Sequence, residues 1–88
     1  MKRKVVVKPL KKRMLHVTWR DSCSLGGRVW QRGKEAEDMK PSVVQSVGFL
    51  VAETPISLTL APHVTDDGDV AGDMCIPKGC IIKRRRLA

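Results

Sequence analysis

Eighty-eight residues carrying a formal net charge of +8, with 42% hydrophobic but only 3% aromatic side chains, describe one small domain with an aliphatic core. No apolar run approaches the length of a membrane span. A core this limited needs support from a closed barrel or from association between chains, and the β-branched residues interleaved with Gly and Pro point to strands rather than helices.

The charge is segregated. Residues 1–20 hold eight basic groups and no acid, residues 78–88 hold five basic groups and no acid, and the stretch between holds nine acids against four basic groups. The positive field therefore belongs to the two ends. That pattern suits a polyanion partner, and it equally suits ends that only keep the chain soluble. Cys23, Cys75 and Cys80 are odd in number, and the charged beginning of the chain, with an apolar run of only residues 5–7, does not read as a signal peptide. A reducing cytoplasm is the expected setting.

In chain order, residues 1–13 alternate basic side chains with Val5, Val6 and Val7 and are interrupted by Pro9. The stretch has no helical period and reads as a basic arm, suited to lie along phosphates through groups such as Lys11, Lys12 and Arg13. Residues 14–19 form the first strand, with Leu15, Val17 and Trp19 on one face and Met14, His16 and Thr18 on the other. Asp21 and Ser22 end it in a turn.

Residues 23–39 are the least patterned. Gly26 and Gly27 allow a sharp bend, and residues 35–39 suit a single helical turn before Pro41. Trp30 is expected to cover one end of the core, the alternative being a flat face for stacking on a base or a partner. The centre of the chain is residues 46–60, SVGFLVAETPISLTL. Val47, Phe49 and Val51 alternate with Gly48, Leu50 and Ala52, as in a strand covered on both faces. Residues 53–55 break the run at Pro55, and residues 57–60 resume the period of a half-buried strand.

Residues 61–64 continue or bend that strand, and the acid-rich residues 65–69 suit a solvated hairpin loop rather than a calcium loop, whose ligand spacing is not met. Met74 and Ile76 open a further strand. Pro77, Lys78 and Gly79 make a tight turn in which Gly79 is free to adopt a positive φ. Cys80, Ile81 and Ile82 form the last apolar strand, and it runs directly into Lys83, Arg84, Arg85 and Arg86.

No pattern carries catalytic chemistry. His16 and His63 stand in no constellation with Cys or Ser, and there is no glycine-rich phosphate loop or pair of catalytic carboxylates. The cysteines lack the paired spacing of a zinc site and read as small, reduced, buried core residues. We therefore expect no enzyme, no cofactor and no metal.

The order GFLVAE, SLTLAP, a hydrophilic turn and MCIPKGCII resembles the layout of Sm-like (Hfq/LSm-type) proteins. Gly48, Leu58 and Leu60 would sit in the first Sm motif and residues 76–81 in the second, over roughly residues 14–86. An N-terminal helix is not evident, and the asparagine and aspartate of the Sm uridine pocket have no counterpart. Trp19-x-Asp21-Ser22, then residues 46–51 (SVGFLV), then Ile76-Pro77-Lys78 near a basic end, also resemble a group of small bacteriophage proteins. That resemblance implies a phage accessory protein acting in the cytoplasm of a bacterial host.

The expectation is thus an all-β fold: a basic arm over residues 1–13 and a five-stranded Sm/SH3-like barrel over residues 14–88, self-associating through open strand edges. The expected function is binding of an anionic ligand, RNA or single-stranded DNA, through Lys11, Lys12, Arg13, Lys78, Lys83, Arg84, Arg85 and Arg86, with Trp30 available for stacking. The alternative is a counter-defence or host-takeover protein that sequesters a nucleotide signal or blocks a host protein.

Overall fold

A computed structural model describes residues 12–24, 26 and 29–88. Most of the expected basic arm, Lys11 included, lies outside those residues. The fold is mostly β, and every strand pairing in it is antiparallel.

Strand β1 (Met14–Asp21) buries alternate residues Leu15, Val17 and Trp19. It pairs with the long strand β2 (Ser42–Glu53), setting Val17 opposite Ser46 and Leu15 opposite Gly48. Between the two, a single helical turn, α1 (Gly33–Glu37), is held by the Lys34–Asp38 pair at 3.3 Å. Trp19 is the largest core side chain, and its indole Nε1 donates to Ser46 Oγ at 3.1 Å, so the buried ring keeps its one polar atom satisfied.

Strand β3 (Ser57–Ala61) returns along β2 with a bulge between Leu50 and Ala52. Thr54 builds the connection, because its Oγ1 accepts from the amides of Ile56 at 3.2 Å and Ser57 at 3.0 Å. The short strands β4 (His63–Val64) and β5 (Val70–Ala71) form a separate two-stranded hairpin around the acidic loop. In that loop Gly68 has φ 89° and the Asp69 amide donates to Thr65 Oγ1 at 3.0 Å.

Strand β6 (Met74–Pro77) pairs with β3, a 3-10 turn (Lys78–Cys80) follows, and β7 (Ile81–Arg86) pairs with β1. The main sheet has the order β6-β3-β2-β1-β7 and is open, with no ladder joining its two edges.

The sheet is nevertheless rolled. Arg84 on β7 aligns with Val17 on β1, which aligns with Ser46 on β2. Glu53 lies seven residues farther along β2. In a flat sheet seven residues span ~23 Å and two strand spacings ~9.6 Å, which puts Arg84 and Glu53 about 25 Å apart. They are in contact instead, with Arg84 Nη1 2.8 Å from Glu53 Oε2. The far half of β2, with β3 and β6, therefore folds over β1.

One core results, in which Leu15, Val17 and Trp19 pack with Leu58, Leu60 and Ile76, and Val44, Leu50 and Ile81 line its margin. Gly48 sits against the backbone of β3. A Cβ there would lie 3.1 Å from the carbonyl carbon and oxygen of Ala61 and 3.2 Å from its nitrogen.

Four expectations need correction. Trp30 does not cover the core: it is 88% exposed. The cysteines are not buried core residues; Cys23 and Cys75 are exposed and Cys80 is half-buried. Gly79 lies in the 3-10 turn with an ordinary negative φ, and the positive values fall at Gly68 and Gly72. Coverage of both faces of β2 is limited to residues 48–51, since Val47 and Ala52 are exposed.

Candidate anion-binding face

Seven of the eight cationic residues named from the sequence fall within the described residues, and the fold sorts them into different roles. The run Lys83-Arg84-Arg85-Arg86 belongs to an edge strand rather than a tail, so its side chains alternate between two faces. Arg84 and Arg86 align with Val17 and Leu15 and share the core side of the sheet. Lys83 and Arg85 align with Thr18 and His16 and share the outer side.

On the core side the charge is answered internally. Arg84 grips Glu53 with both guanidinium ends, Nη1 to Oε2 at 2.8 Å and Nη2 to Oε1 at 3.1 Å. Lys78 Nζ reaches the same carboxylate at 2.8 Å. It is placed there because its backbone amide donates to Ile56 O at 2.9 Å, docking the 3-10 turn onto the β2–β3 connection.

Glu53 is thus held by two cations from opposite ends of the roll. The hydrogen bonds from Arg84 and then Lys78 keep its carboxyl at about 2, below the ordinary 4.5. The same pairing raises Arg84. Arg86 Nε turns back to Ala88 O at 3.4 Å. A planar fork on a carboxylate is a strong, directional pair, so Arg84 and Lys78 clasp the roll rather than offer charge to a ligand.

The outer side differs. Across β7, β1 and β2 the register gives three cross-strand rows. Arg85, His16 and Val47 make one, Lys83, Thr18 and Gln45 the next, and Arg20 with Val43 the third. This face carries no acid. Lys83, Arg85 and Arg20 have no carboxylate within ion-pair distance among the described residues. Lys12 and Arg13 are exposed and lead into β1 beside the end of β7, where Met14 N donates to Ala88 O at 2.9 Å and Leu87 N to Met14 O at 2.7 Å.

The fold therefore brings Arg20, Lys83 and Arg85 to one side of the sheet, with Lys12 on that side by the alternation of β1, and sets Lys78 and Arg84 apart; Arg13, whose carbonyl accepts from Leu50 N at 2.8 Å, falls on the core side with Leu15. Trp30 lies in the connection between β1 and β2, outside the strands that form this face.

Sequence reasoning missed Glu53, Arg20 and the outer residues of β1 and β2. The signal for Arg20 was present in the alternation of residues 14–20. Nothing local marks Glu53, whose partners lie 25 and 31 residues away. The described residues enclose no cavity, and no three of their His, Cys, Asp or Glu side chains converge as metal ligands. No protein family, curated protein or solved structure matches the chain.

Proposed function

We propose that this protein is a non-enzymatic binder of RNA or single-stranded DNA, acting as a phage accessory protein through the outer face of its last strand. The observation that carries the reading is the division of labour along β7: Arg84 is neutralised by Glu53, while Lys83 and Arg85 remain unanswered on a face without acids. Lys12 and Arg20 extend that positive field along β1.

The strand order, the bulged and bent β2 and the 3-10 turn between the edge strands support a rolled small barrel of Sm or SH3 type. The open backbone groups of β6 and β7 support pairing between copies.

The test is the salt dependence of binding to a labelled single strand. Each phosphate contact on single-stranded nucleic acid contributes a slope of roughly −0.7 in log affinity against log salt. Replacing Lys83 and Arg85 together with Gln is expected to flatten the slope by about 1.4. Arg84→Gln is expected to lower stability and leave the slope unchanged. Equal slopes for wild type and the Lys83/Arg85 variant would overturn the proposal.

A further inference from the structure

The outer face is graded across the strands as well as charged. β7 contributes the cations Lys83 and Arg85. β1 contributes hydrogen-bonding groups, Thr18 and His16, whose Nε2 lies 3.0 Å from Gln45 Oε1, and at its far end the cation Arg20 opposite Val43. β2 contributes Val43 and Val47, on either side of Gln45, which are 63% and 55% exposed although they sit on a mid-sheet strand. From the cationic column to the valine column is two strand spacings, ~9.6 Å.

A nucleotide is graded in the same order, from phosphate through a hydroxyl-bearing sugar to an apolar base face. Lys83 and Arg85, two residues apart on β7, rise by ~6.6 Å, so the cationic column runs along the strand as a backbone would. A duplex offers this face only phosphates and leaves the valines in water. An unpaired strand uses all three columns. A second copy set face to face would bring Arg20, Lys83 and Arg85 against groups of the same sign, which like-charge repulsion disfavours.

We infer that the outer face of β1, β2 and β7 takes a single-stranded polynucleotide lying along β7, with phosphates on Lys83 and Arg85 and bases over Val43 and Val47. This rests on the binding reading above and adds that the site selects unpaired bases.

The test is a fluorescence-anisotropy titration of the full chain with a labelled single strand, as RNA and as DNA. The same sequence as a duplex, inorganic polyphosphate and an acidic peptide serve as competitors. The single strand is expected to bind ~10-fold tighter than the duplex, from the apolar surface it covers. Val43→Thr with Val47→Thr is expected to remove that preference and leave polyphosphate competition unchanged. Val47→Trp supplies a stacking platform and is expected to tighten single-strand binding ~5-fold or more; it reads as a gain, so misfolding cannot imitate it.

Equal binding of duplex and single strand, or valine variants without effect while the Lys83/Arg85 variant still weakens binding, would overturn the inference and leave the anion-binding reading standing. Tighter, valine-dependent binding of the acidic peptide would make the face a protein-docking surface and overturn it too. Failure of every nucleic-acid probe to bind would remove both readings.

Discussion

Adding one methyl group at Gly48 sets two opposed effects against each other. In a strand interior Gly costs about 0.5–1 kcal/mol relative to Ala, because its backbone loses more freedom on folding. On that count alone Gly48→Ala would stabilise. The space decides otherwise. The new Cβ would meet three backbone atoms of Ala61 at 3.1–3.2 Å, against the ~3.5 Å or more of a comfortable contact.

Ala61 is fully buried and its strand is held to β2 by the ladder that pairs Phe49 with Ala61 and Leu50 with Leu60. No side chain can rotate away, so β3 must shift by a few tenths of an ångström. Overpacking of this kind typically costs about 1–3 kcal/mol, so the net expectation for Gly48→Ala is a loss of roughly 0–2.5 kcal/mol, centred near 1. Gly48→Val adds two further methyls and is expected to abolish folded, soluble protein.

Urea unfolding reads the effect directly. With a slope near 1 kcal/mol/M, a loss of about 1 kcal/mol lowers the midpoint by about 1 M at unchanged slope. A Gly48→Ala variant more stable than wild type would refute the close approach of β2 and β3 at this residue.

Two further outcomes follow from the clasp and from the open edges. Glu53 is held at about 2 from an ordinary 4.5, so its stabilising contribution is fully present above about pH 4.5 and is lost as pH falls toward 2. Wild type and Glu53→Gln should therefore differ in denaturant midpoint at pH 7 and converge by pH 2; a gap that persists at pH 2, or is absent at pH 7, would show that the carboxylate does not hold the roll. Because the edges of β6 and β7 carry open backbone groups, light scattering at micromolar concentration is expected to give a mass above one chain, and a monomer mass would count against edge pairing.

Local pattern determined a good part of this protein. The alternation of Leu15, Val17 and Trp19 against Met14, His16 and Thr18 made a strand with a known inner face, since successive side chains point to opposite sides of a pleat. The break at residues 53–55, the acidic hairpin loop and the helical turn before Pro41 were legible for similar reasons, each lying within a few residues of its cause. The division of Lys83 and Arg85 from Arg84 and Arg86 followed from the same period.

What the chain's pattern left open were the properties that depend on residues far apart. Whether Arg84 is spent on an internal partner depends on a carboxylate 31 positions away, which only the rolling of β2 brings near. Trp30 looked like a core residue because large aromatics usually are, yet it is exposed, and burial depends on where a residue is carried, not on its type. The same holds for Val43 and Val47. Their type suggests a core and their exposure was set by register alone, because pairing β2 with β1 at Val17–Ser46 sends every odd-numbered residue from 43 to 49 to the outer face.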